Sequence, residues 1–247
     1  MIANALPYCG TPPNPGELLS RFNLDPVLLS GLAVLLVVHL RSTKHRGLAI
    51  AGWIVAGAAL VSPLCALSVA LFSARVAQHM ILVLVAAPLI AFAWPPRSAS
   101  ATRFALKLWS TTLFFFAALW FWHMPAPYDA TFSATWIYWT MHGTLFGSAL
   151  LLWRTLLHHP PARTTDVLAA GALTSIQMGL LGAVLTFAGH PLFYRHLLTS
   201  SLWGLTPLRD QQLGGVLMWV PGIALFVFAA VRSLSRLWRA LEMENPA

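Results

Sequence analysis

LFSARVAQHMILVLVAAPLIAFAW, residues 71–94, is the stretch that decides the fold. Its length and composition match the roughly 20 apolar residues that cross a bilayer as a helix. Inside it sits Gln78-His79-Met80. Polar groups at membrane depth are costly and usually face a partner or a site. Two other neighbourhoods repeat the imidazole–thioether pairing, His123-Met124 and Met141-His142. The expectation is that the three pairs meet at one membrane face and bind a soft metal, copper above all.

Composition agrees with a membrane chain. Of 247 residues, 58% are hydrophobic and 9% charged, against about 25% charged in soluble domains. The net charge of +8 sits at the ends of apolar segments and forms no patch. It argues for a lipid bilayer as partner and against nucleic acid. Residues 1–21 lack a basic region followed by an apolar core, so no cleavable signal is expected. They read as a Pro/Gly-rich tail.

Seven apolar segments can be drawn, at 26–40, 47–67, 71–94, 104–122, 136–157, 165–188 and 213–231. Asp25-Pro26 predicts a helix cap with proline in the first turn. Ser62-Pro63 should kink or end the second segment. Pro88 should leave a carbonyl free for another partner, and Trp94-Pro95-Pro96 should end the third segment. Pro125 and Pro127 should stop the fourth, and Pro221 should break the last, which carries a basic helical extension. The fold class is an all-α integral membrane protein with seven transmembrane helices. Residues 1–24 form an extracytoplasmic tail, 25–240 the transmembrane domain, and 241–247 a cytoplasmic tail.

Charge sets the orientation. Alternate loops hold Arg41, Lys44 and Arg46; Arg97, Arg103 and Lys107; Arg154 and Arg163; and Arg232, Arg236 and Arg239. The other side has only Arg21, Arg75, Arg195 and Arg209. Positive loops stay inside, so the N-terminus is outside and the C-terminus cytoplasmic. Trp120, Trp122, Trp136 and Trp203 then fall near outer ends, and Trp94, Trp153 and Trp238 near inner ends, as an interfacial belt.

Orientation gives the histidines depths. At about 1.5 Å of rise per residue, His79 lies roughly 10 Å below the outer end of the third segment and His142 roughly 9 Å below that of the fifth, with Met218 at similar depth in the seventh. His123 sits above them, and Met80, Met124 and Met141 follow their neighbours. Thioether and imidazole together suit Cu(I). Asp129, Asp210 and Gln78 could orient the ligands, or the two carboxylates could pair with Arg75 or Arg209. The bland readings are hydrogen bonding between helices for the histidines and core packing for the methionines. His190 and His196 read as solvated residues of the outer loop, with a metal-entry role as the alternative. Cys9 and Cys65 fall on the outer side, with three readings open: a disulfide, a copper thiolate, or a free buried Cys65 acting as a small apolar residue, which is preferred. Gly214-Gly215 reads as a place of close helix packing. No nucleophile elbow, zinc helix or phosphate loop is present, so the chain does not read as an enzyme.

Four motifs in order carry a resemblance. Gln78-His79-Met80-Ile81-Leu82 with Ala87-Pro88-Leu89 is the first. Trp122-His123-Met124-Pro125 with Tyr128-Asp129-Ala130 is the second. His142 with Phe146 and Trp153 is the third. Asp210-Gln211-Gln212-Leu213-Gly214-Gly215 with Met218-Trp219-Val220-Pro221-Gly222 is the fourth. Together they resemble the polytopic CtaG family of cytochrome c oxidase assembly factors. The resemblance implies a multi-pass protein of the bacterial plasma (inner) membrane that helps build haem–copper oxidase. Its expected partners are oxidase subunits, subunit II first, with other copper chaperones. The matching motif positions are His79, His123, Asp129, His142 and Asp210. Where many relatives have a further His and a Glu, this chain has Tyr138 and Met141, which shifts the ligand set toward softer donors. Three rivals stand beside a copper metallochaperone: a haem-binding membrane electron carrier, a copper permease and a metal-free assembly scaffold.

Overall fold

The computed structural model describes residues 6–94 and 101–244. Arg97, Pro95, Pro96 and the ends of both predicted tails lie outside the described residues. The described chain is helical: α1 (Pro26–Ser42), α2 (Arg46–Val61), α3 (Leu64–Ala70), α4 (Phe72–Ala93), α5 (Ala101–Trp122), α6 (Pro125–Ala130), α7 (Thr135–Leu157), α8 (Thr164–Phe187) and α9 (Pro207–Glu244). Four of these are long and apolar enough to cross a membrane, and the bent pair α2–α3 would make a fifth.

The local reasons follow from sequence. The Asp25 carboxylate accepts from Val27 N at 2.8 Å and Pro26 opens α1, as expected of an N-cap and a first-turn proline. At Ser62-Pro63 the second segment bends by 45°. The fourth segment stops short of Pro125, as expected. It ends at Trp122, and Pro125 opens the short helix α6 from the N-terminal side. Pro221 does not break α9, which runs through it. Its missing N–H costs one bond, and the packing of α8 along α9 holds the helix on either side. The adjacent Gly222 faces the Met178 methyl of α8.

The organising helix is α4. Of its apolar window 67% is buried, against 39% for α5 and 28% for α9. It packs on α2, α7 and α9. Directly after His79-Met80 it passes through a π-turn, Ile81–Ala86. There the Ala87 N–H reaches back to Leu82 O, so the next bond in that register would join Pro88 to Val83. Pro88 has no N–H, and the Val83 carbonyl instead accepts from Trp153 Nε1 of α7 at 2.8 Å. Trp153 is therefore buried and is not part of an interfacial belt. Trp122 is also buried, donating to Thr144 at 2.8 Å. Trp136 and Trp238 remain exposed.

The N-terminus of α4 is closed by a residue from far along the chain. Asp210, at the start of α9, accepts from Phe72 N (2.7 Å), Ser73 N (3.0 Å) and Ser73 Oγ (2.5 Å). A carboxylate there complements the free N–H groups and the positive helix end. One helical turn on, α9 crosses α8 at close range. A Cβ on Gly215 would lie 2.6 Å from the Gly182 carbonyl, and one on Gly182 would lie 2.9 Å from that of Gly215. This is the expected close packing.

Candidate functional site

His79 projects from α4 and His142 from α7, and their rings meet edge to face with centroids 5.0 Å apart. Both are 4% exposed. His142 Nδ1 faces its own helix, 3.1 Å from the Tyr138 carbonyl, so Nδ1–H donates and Nε2 carries the lone pair. That Nε2 has no hydrogen-bond partner, and neither nitrogen of His79 has one. Buried polar atoms are nearly always paired. Three imidazole nitrogens on two touching rings are therefore unpaired; with His79 neutral, one of its two carries the proton, so the pair offers two lone pairs. An apolar cleft of about 340 Å³, lined by Asp25, Trp53, Leu82, Trp139 and Phe146, reaches His142.

The other predicted residues divide. Met80, Met141 and Met218 are buried together in the main apolar core, whereas the cleft that reaches His142 is walled by a second cluster that includes Trp53 and Leu82. His123 is buried at the end of α5, its Nδ1 2.7 Å from the Leu119 carbonyl, and it lies within electrostatic reach of His79. Met124 is 52% exposed and stands apart from that cluster. Gln78 donates to the Ala59 carbonyl at 2.8 Å, tying α4 to α2. Neither predicted carboxylate pairs with Arg75 or Arg209. Asp210 caps α4, and Asp129 forms an exposed pair with Arg195 at 2.5 Å. Among the described residues no group of three or more His, Cys, Asp or Glu side chains converges on a metal position. The histidine pair is what the fold brings together.

Three features depart from the expectation. Cys65 is not free: Cys9 and Cys65 form a disulfide with Cα atoms 5.4 Å apart. His196 is not solvated. It is 1% exposed, its Nε2 lies 2.6 Å from Tyr128 Oη, and Phe72 and Phe132 flank it. Burial pushes its pKa down to about 3. The aromatic run around it, Phe193-Tyr194, was the only signal in the sequence. Arg75, one turn before His79, is fully enclosed. It donates to Thr131 Oγ1 at 2.8 Å and its guanidinium stacks 4.1 Å from the Phe132 ring centre. Aromatic faces thus stabilise the cation in place of a carboxylate.

A helical membrane-type bundle with a buried, ligand-poor histidine pair is the class these observations define. The chain belongs to the cytochrome c oxidase caa3 assembly factor family (Caa3_CtaG), whose model it matches over residues 32–240. No curated protein and no solved structure matches it. Membership makes cytochrome c oxidase its partner in assembly.

Proposed function

We propose that the protein holds Cu(I) between His79 and His142 and passes it to the oxidase copper centre, subunit II first. The observation that carries this reading is the three unpaired nitrogens on two touching, buried rings. Imidazole and thioether donors favour Cu(I) over hard cations; Met80 and Met141 are chain neighbours of the two histidines, and Met218 is buried as well. His123, one layer outward, is the ligand through which the ion leaves, and the exposed Met124 beside it meets the acceptor. Transfer is by ligand exchange and needs no catalysis. Rings already in edge contact leave no slot for a macrocycle, which favours a bare ion over haem. The delivery reading sets the protein in a bacterial inner membrane with seven spans, N-terminus outside. In that frame α1 and α7 cross as well, and the site opens on the outer face. A His79→Ala/His142→Ala variant present at normal membrane levels should leave the oxidase short of copper and inactive. Full oxidase activity in that strain would favour a metal-free scaffold.

A further inference from the structure

We propose that Cys9 and Cys65, once reduced, form a second Cu(I) site at the outer approach to the histidine pair. The disulfide joins the N-terminal tail to the start of α3. Its sulfurs lie 3.4 and 3.8 Å from Tyr138 Oη, and the Tyr138 ring packs at a tilt of 36° against His142 with centroids 4.2 Å apart. One aromatic side chain therefore separates the two sulfurs from the unpaired nitrogens. Tyr8 continues the cover, stacked 4.8 Å from Tyr138 and donating to Asp25 at 2.5 Å.

The surroundings suit thiolates. Asn23 Nδ2 lies 3.6 Å from Cys65 Sγ, and Tyr138 Oη can donate. Hydrogen-bond donors lower the cost of ionising a thiol. Cα atoms 5.4 Å apart let two thiolates clasp one soft ion after small rotations. Thiolates and the imidazoles behind them are graded soft donors for Cu(I).

The chemistry closes with an external dithiol as reductant. Its thiolate attacks the half-buried Cys9 sulfur, giving a mixed disulfide that resolves when the reductant closes its own disulfide. The protein S–S bond breaks, and two electrons and two protons pass to Cys9 and Cys65. Cu(I) then replaces the thiol protons, which leave to water, with no change in its oxidation state. As the disulfide the site is absent, so the redox state of the pair decides how many copper ions the protein carries. The proposal rests on the histidine reading for the identity of the cargo and for the placement of the pair on the outer approach.

The test uses the full chain in detergent, reduced with dithiothreitol, desalted anaerobically and titrated with Cu(I) from its bicinchoninate complex. Reduced protein should take up about one more equivalent than oxidised protein, with sulfur-to-copper absorption in the near ultraviolet. Cys9→Ser/Cys65→Ser, and reduced wild type alkylated with iodoacetamide, should lose that extra equivalent. His79→Ala/His142→Ala should keep it while losing the copper bound by oxidised protein. Equal uptake in both redox states, or extra copper that survives alkylation, would overturn the proposal. A histidine variant whose oxidised form still binds copper would overturn the histidine reading alone.

Discussion

At the scale of single residues, burial sets the chemistry. His79 and His142 were legible because a histidine inside an apolar run is anomalous wherever it occurs. His196 and Arg75 were not, because a loop residue's burial depends on chain segments far away in sequence. His196 yields a pH prediction. Its pKa of about 3 in the folded protein compares with about 6.5 in an unfolded chain. Between those values the unfolded chain binds a proton that the folded one refuses. The stability at stake is present above pH about 6.5 and is lost as pH falls toward about 3. The wild-type Tm should therefore fall more steeply over that window than that of His196→Gln, followed by tryptophan fluorescence. Parallel slopes would mean that the loop histidine already titrates freely. Asp210 yields a second prediction. Its carboxylate takes three hydrogen bonds at the head of α4, so Asp210→Ala should cost about 3 kcal/mol. Asp210→Asn should cost less, since one amide oxygen still accepts. A thermal-shift series in detergent ranks the three proteins.

At the scale of elements, proline punctuation carried most of what the sequence could say. Asp25-Pro26 and Ser62-Pro63 act where expected. Pro221 does not, because a helix held along its length by a neighbour survives one missing bond. The π-turn of α4 was invisible in sequence, although the free carbonyl it leaves was foreseen from Pro88. That carbonyl, of Val83, binds Trp153. Trp153→Phe should cost about 1 kcal/mol, and less in a Pro88→Ala background, where the new N–H competes for the same carbonyl. A double-mutant cycle reads the coupling, and additive losses would separate the two residues. The Gly182–Gly215 crossing is tighter than any side chain allows. Gly215→Val should abolish folded, monodisperse protein on size exclusion, whereas Gly189→Ala, which meets open space, should leave it unchanged.

At the scale of the whole molecule, the stretch from which the sequence was read is also the most enclosed helix. This follows from physics, since a helix surrounded by others is apolar on every side and its few polar groups must face a neighbour. The long apolar helices were legible, but two short ones, α3 beyond Ser62-Pro63 and α6 after Pro125, were not drawn as separate helices. The number of spans was less legible, because α1 is short and α7 trades apolar residues for those facing the site. Reporter fusions after Arg46 and Arg163 test the orientation, and both should report the cytoplasm. The central claim is tested most directly by loading the oxidised, detergent-purified protein with Cu(I) anaerobically, wild type beside His79→Ala, and measuring bound copper with the visible spectrum. The account predicts about one copper in the wild type, its loss in the variant, and no Soret band. A Soret band, or copper binding unchanged by the substitution, would contradict it.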